Sequence, residues 1–295
     1  PGDEFISARQ LYGGSINQFT QSFKKFDWNV RFADTDNAES FRAALSPKTK
    51  AIFVESIANP GGIITDIAAI SAVAKEAGVP LIVDNTLATP YLVLPIEHGA
   101  DIIVHSLTKF LGGHGNSIGG AIVDCGTFDW FKSGRYPTLT EPSPSYHGVT
   151  FAETFGNFAF AIACRAFSLR DLGPAISPFN AFLILTGIET LPLRMQRHCD
   201  NTLAVAEWLS KHDQVAWVNY AGLPGSKFNA MAKRYCPKGA GAVFTFGLKG
   251  GYPAGVKLVS NVKLFSHLAN IGDTRSLIIH PASTTHRQLT DEQRE

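Results

Sequence analysis

The chain has 295 residues, of which 45% are hydrophobic and 17% charged, and its formal net charge is +1. This is the composition of a soluble globular protein of one large domain or two, and so near-neutral a balance excludes a basic stripe for nucleic acid and an acidic face alike. No apolar run approaches the roughly 18 residues that a membrane span needs, no signal peptide is visible, and four widely spaced cysteines (Cys125, Cys164, Cys199 and Cys236) without a C-x-x-C pair read as reduced thiols of a cytoplasmic protein.

Pro1 is not an initiator methionine, and residues 290–295 stop in what reads as a helix start, so the sequence reads as the interior of a longer protein. Leu11-Tyr12-Gly13-Gly14-Ser15 opens the useful sequence, its glycines permitting a tight turn before a helix over 15–23. A strand over 30–32, a helix over 38–45 and a strand over 50–55 follow. Ile67, Ile70, Val73, Ala74 and Ala77 then recur at helical spacing, and Gly78-Val79-Pro80 ends that helix. The runs 81–83 and 102–104 are apolar without alternation, which predicts strands buried on both faces. A further strand is expected at 121–123. Alternating strands and helices indicate right-handed βαβ units, hence an α/β fold with a mainly parallel sheet flanked by helices.

Residues 133–146, rich in Pro, Ser, Thr and Tyr, predict a long loop. Apolar and aromatic residues over 151–168 predict a helix; 178–190 predicts another, and 203–209 belongs to a long connector helix. A boundary near 211–214 divides the chain into a large domain, 1–212, and a smaller α/β domain, 213–295. The latter has expected strands at 215–218, 243–248 and 277–279 and a helix at 254–265.

Three of the expected strands end in polar groups: Glu55, Asp84, and the cluster Ser106, Thr108 and Lys109. Open α/β sheets bind ligands just past such strand ends. An amine beside hydroxyls, with a carboxylate on the neighbouring strand, is what pyridoxal phosphate needs. The lysine forms a Schiff base, the hydroxyls bind phosphate, and the acid keeps the pyridine nitrogen protonated. Competing motifs fail on context. Gly115-Asn116-Ser117-Ile118-Gly119 matches G-x-S-x-G, but its strand comes after it rather than before. Neither G-x-G-x-x-G nor a Walker A sequence occurs. His280 and His286 lack partners at metal spacing, so no metal site is expected.

The V-D-N strand end at Asp84, H-S-L-T-K-F-L-G-G-H through Lys109, L-Y-G-G at Tyr12 and E-S-I-A-N-P from Glu55 to Pro60 resemble the PLP-dependent transsulfuration (Cys/Met metabolism) family. The resemblance implies PLP fold type I, like aspartate aminotransferase, with a smaller C-terminal domain. It implies catalytic roles for Lys109 and Tyr12, the tyrosine lying flat on the cofactor ring. It also implies cofactor contacts from Asp84, Asn59, Ser106, Thr108 and Glu55, the asparagine bonding the phenolic oxygen. Asn270, in L-A-N-I-G-D, falls where related enzymes carry a serine near the substrate carboxylate. The N-terminal arm, a glycine-rich phosphate-binding helix start, an arginine from a neighbouring subunit and the carboxylate-binding arginine lie outside this sequence by the same comparison. Gly14 and Asn116, where lyases and cystathionine-forming members usually carry Cys and Asp, point to the sulfhydrylase branch. The expected reaction is γ-replacement on O-acetylhomoserine by sulfide, giving homocysteine and acetate in methionine biosynthesis. Cystathionine γ-synthase and methionine γ-lyase activities are the alternatives, and a non-catalytic scaffold is the alternative of another class. Expected partners are these small molecules and other copies of the chain, as a dimer of dimers, with neither nucleic acid nor membrane.

Overall fold

The computed structural model describes residues 2–59 and 62–284. Pro60, His286 and residues 290–295, which enter the sequence argument, lie outside the described residues. Six strands form the central sheet: β1 (Glu4–Ala8), β2 (Asn29–Ala33), β3 (Thr49–Glu55), β4 (Leu81–Asp84), β5 (Ile102–Ser106) and β6 (Gly120–Asp124). Their order is β2-β1-β3-β4-β5-β6. The first five run parallel, and β6 closes the edge antiparallel to β5. Alternate side chains of β3 and β4, Ile52, Val54, Leu81 and Val83, are completely buried. They line one face, while Ile82, Ile102 and Val104 on the other join a second apolar cluster, so both faces are covered and the runs need not alternate.

The helices start and stop where their end residues dictate. α1 (Gly13–Asn17) continues as a wider turn over Gln18–Ser22 and a tighter one over Phe23–Phe26, where Asp27 in the left-handed region ends it. α2 (Ala38–Ala44) is capped by the Asn37 side chain, which accepts the Glu39 N–H. α3 (Ile67–Ala77) is capped by Asp66 on Ala69 N–H and stops at Gly78, φ 65°. Strand β1 was not foreseen. It is short and carries a glutamate at its start and a serine near its end, yet Ile6, Ser7 and Ala8 are all fully buried because the strand lies between β2 and β3.

The segment expected as a loop, 133–146, holds two short helical turns, Pro137–Thr140 and Pro144–Tyr146. It is pinned by a second apolar cluster around Trp130, Leu139 and Phe151, in which Trp130 stacks on Phe160 at 5.5 Å between centroids. The helix expected over 151–168 breaks at Gly156, φ 51°, into Phe151–Phe155 and, after one tight turn, Ala159–Ala163. α4 (Pro178–Glu189) leads into the connector α5 (Leu191–Leu209).

Beyond α5, β7 (Val215–Asn219) pairs antiparallel with β8 (Thr245–Leu248), and α6 (Asn229–Tyr235) lies between them in sequence. α7 (Gly251–Asn261) starts three residues before its expected position, and Ser266–His267 pairs with Leu277–Ile278. Neither strand pair joins the six-stranded sheet. Tyr220, Phe228 and Tyr235 nevertheless share one apolar core with Leu81 and Val83.

Candidate active site

Parallel register places three polar strand ends side by side. Glu55 of β3 pairs with Asp84 of β4, Asp84 pairs with Val104 of β5, and Ser106 ends β5. The turns leaving β3 and β4 are cross-linked: Ser56 Oγ donates to Asn85 Oδ1 at 2.7 Å, and Ser56 N–H to the Asp84 carbonyl at 3.0 Å. Thr86 N–H donates to Asp84 Oδ1 at 2.9 Å, and Thr86 Oγ1 accepts the Ser106 N–H at 2.8 Å. Thr86 thereby sets the spacing between the acid and the serine. The turn after Asp84 also contains Thr89 at φ 58°, fully buried. A β-branched residue in the left-handed region is strained, and such strain persists only where the surroundings hold it.

Burial raises the Asp84 carboxyl above the ordinary carboxylate range. Glu55 is pushed up to about 8, first by burial and then by the negative charge of Asp84. Among the described residues neither acid has a cationic partner. Glu55 Oε1 accepts the Tyr12 N–H at 2.7 Å and Oε2 accepts the Asn59 N–H at 3.1 Å. The Tyr12 side chain, at the start of α1, is 54% exposed.

Lys109 follows β5 in the turn Leu107–Leu111, where its own φ −94° and ψ −130° leave the helical region. The side chain is half-buried. Burial lowers its pKa, and Nζ donates to Asn270 Oδ1 at 2.6 Å instead of to a carboxylate. Asn270, expected by resemblance near the substrate carboxylate, is here in contact with the lysine amine. Thr108 Oγ1 accepts the Gly119 N–H at 3.1 Å and donates to the Gly119 carbonyl at 3.2 Å. Its hydroxyl is thus engaged by the protein, whereas Ser106 stands at the strand end. A side chain at Gly113 would strike the Arg194 guanidinium, and one at Gly115 would strike the Asp273 carboxylate, so these glycines admit protein groups.

Arg194 was missed. Its Nη1 donates to the Phe110 carbonyl at 2.7 Å, Nη2 to Leu111 at 3.2 Å and to Gly187 at 2.6 Å, and Nε to Thr190 Oγ1 at 3.0 Å. One rigid guanidinium fork fastens the lysine turn to the joint between α4 and α5. Nothing in L-P-L-R-M-Q-R-H distinguishes this arginine from a surface one, because the partners that tie it to the lysine turn, Phe110 and Leu111, are backbone carbonyls distant in sequence.

Pyridoxal phosphate fits the groups present. The site holds an amine without a counter-carboxylate and an acid without a cation, and a protonated pyridine nitrogen would supply the charge that Asp84 lacks. Among the described residues no cluster of three or more His, Cys, Asp or Glu could hold a metal.

The model of the family described as Cys/Met metabolism PLP-dependent enzyme matches residues 1–295. The chain is 54% identical to an O-acetyl-L-homoserine sulfhydrylase of Leptospira meyeri, over 98% of this chain and 67% of that protein. It is 51% identical to O-acetyl-L-homoserine sulfhydrylase 1 of Thermus thermophilus, over 99% and 70% respectively. Against a homocysteine synthase of Schizosaccharomyces pombe the identity is 50%, over 99% and 68%. The chain thus spans roughly two thirds of the length of these relatives. A crystal structure from Campylobacter jejuni, assigned as an O-acetylhomoserine (thiol)-lyase and containing a lysine joined to pyridoxyl phosphate, superposes with a TM-score of 0.93 at 37% identity, over 99% of this chain and 70% of that one. On the match across its whole length and on the identity to these relatives, the chain belongs to the Cys/Met metabolism PLP-dependent enzyme family.

Proposed function

We propose that this chain carries out γ-replacement on O-acetylhomoserine, with sulfide as nucleophile, to give homocysteine and acetate. The observation that carries the reading is the desolvated Lys109 amine, held by the neutral Asn270 and paired with neither Asp84 nor Glu55. A salt bridge would keep such an amine protonated, whereas burial beside an amide favours the neutral base. The sulfhydrylases and homocysteine synthase among its relatives support the choice of reaction.

Bound pyridoxal phosphate would supply an electron sink that acidifies the α-carbon of the attached amino acid. Lys109 then takes the α-proton at Nζ and passes protons at the β-carbon, the work of a general base with lowered pKa. Acetate leaves the γ-carbon, and sulfide adds there. Asp84 would hold positive charge at the pyridine nitrogen, Ser106 and, once its hydroxyl turns from the Gly119 carbonyl, Thr108 would contact the phosphate, and Asn59 would contact the phenolic oxygen. The Tyr12 ring, exposed at the start of α1, would stack on the cofactor and assist proton transfer.

We infer a homo-oligomer, as a dimer of dimers. Phe179, Phe182 and Leu185 of α4, at helical spacing, are 68%, 63% and 63% exposed, an apolar stripe that a second copy would cover. No described helix is long and apolar enough to cross a membrane. The four free thiols support a reducing compartment, the cytoplasm.

The deciding experiment incubates the full-length protein with O-acetylhomoserine and sulfide, and separately with methionine. Homocysteine from the first mixture supports the reading. Release of α-ketobutyrate from methionine without sulfide-dependent synthesis would replace it with γ-elimination.

A further inference from the structure

β3 ends on Glu55, which is 3% exposed. The strand order makes the gap between β1 and β3 a switch point: the chain leaves β1 for β2 on one side and β3 for β4 on the other. Such gaps open a crevice at the carboxyl ends of the strands. Tyr12 follows β1 and Asn59 follows β3, so the two stand on opposite banks of that crevice. Each oxygen of Glu55 accepts the backbone N–H of one bank, Tyr12 at 2.7 Å and Asn59 at 3.1 Å.

We propose that Glu55 is a positioning residue that holds Tyr12 and Asn59 at a set span across the cofactor crevice and does not itself bind the cofactor. The proposal rests on the reading of Tyr12 and Asn59 as cofactor contacts. The residue type follows from the geometry. Two facing N–H donors need two acceptor oxygens, which a carboxyl group offers whether or not it carries a proton and an amide lacks, because the –NH2 of glutamine would be set against an N–H. Aspartate is one methylene too short to bridge the same two donors. Burying a second acid beside Asp84 is electrostatically unfavourable, and a core built only for packing would not place one there. In this structure the carboxyl is occupied on both sides by the backbone, which leaves it no direct part in holding the ring.

The test compares Glu55→Gln, Glu55→Asp and Tyr12→Ala, and the double variant Glu55→Gln with Tyr12→Ala, in the full-length protein loaded with pyridoxal phosphate. The readouts are thermal melting, the cofactor dissociation constant by fluorescence titration, the visible circular dichroism of the bound cofactor, and the separate values of kcat and KM. Glu55→Gln should retain a cooperative melt, diminish the visible dichroism, and lower kcat by ~10- to 100-fold with little change in KM, the effect of a misplaced but present contact. Glu55→Asp should resemble Glu55→Gln rather than the parent. In the Tyr12→Ala background the same substitution should add less than about 3-fold, because a residue acting through Tyr12 has no separate effect once Tyr12 is gone. Undiminished dichroism and kcat in Glu55→Gln, where Tyr12→Ala loses both, would overturn the positioning role alone. So would effects that multiply in the double variant. If Tyr12→Ala leaves cofactor affinity and dichroism unchanged, the assignment of the crevice itself falls, and the role of Glu55 with it.

Discussion

Lys109 and Asn270 meet across 161 positions of sequence, Nζ to Oδ1 at 2.6 Å. The contact is built by backbone: Thr274 N–H donates to the Gly113 carbonyl at 2.9 Å, and Gly272, φ 76°, lies so close to Lys109 and Phe110 that no Cβ could fit. The C-terminal part of the chain is thereby fastened to the turn that carries the amine.

Replacing Asn270 by Ala removes the acceptor of this bond while leaving Lys109 in place. Leaving a part-buried donor without its acceptor costs about 1–3 kcal/mol, so turnover should fall by ~10- to 100-fold. The protein should still bind pyridoxal phosphate and show its visible absorbance. Steady-state kinetics and spectra of Asn270→Ala check both, and an unchanged kcat would remove Asn270 from the reacting amine.

Lys109→Ala should abolish sulfide-dependent homocysteine formation and the absorbance of lysine-bound cofactor. The side chain is half-buried and forms no ion pair among the described residues. Its removal should therefore shift melting by only a few degrees, about the effect of 1 kcal/mol in a chain of this size. Full activity in this variant would exclude the site.

Stability of the cofactor-free protein should depend on pH through Glu55. Its carboxyl lies at about 8 against an ordinary 4.5, so the native state keeps a proton that the unfolded chain releases. Between about 4.5 and about 8, unfolding releases protons, and stability falls as pH rises. The loss across that window should be on the order of a few kcal/mol. Denaturant melts at stepped pH should show that slope in the parent and a flatter one in Glu55→Gln. Asp84→Asn should lower the upper end of the window, since it deletes the second cause of the shift, and should weaken cofactor binding. A parent protein whose stability rises across the window would contradict the burial of a proton at Glu55.

Arg194→Met leaves the carbonyls of Phe110, Leu111 and Gly187 without their shared donor. Each unsatisfied buried group costs about 1–3 kcal/mol, so the variant should melt well below the parent and lose kcat as the lysine turn loosens. Arg194→Lys keeps the charge but cannot reproduce the fork, and should recover only part of either property. Equal melting temperatures for Arg194→Lys and the parent would show that charge alone suffices.

The strands ending at Asp84 and before Lys109 were legible from the residues alone, because apolar runs without alternation suit a strand covered on both faces. So was α3, from apolar spacing closed by Gly78. The family was carried by short segments whose residue types are tied to one kind of chemistry. Strand β1 was hidden because five residues that include a glutamate and a serine make no pattern; only its place between two other strands buries its last three. The packing of 133–146 was hidden because it depends on aromatic partners from distant segments. Which site residues hold one another could not be read at all: Glu55 on the backbones of Tyr12 and Asn59, Asn270 on Lys109, and Arg194 on the lysine turn. Local sequence determines which groups arrive at the ends of strands. Partners separated by tens to hundreds of residues are chosen by strand order, register and close backbone approach, and these exist only once the chain has folded.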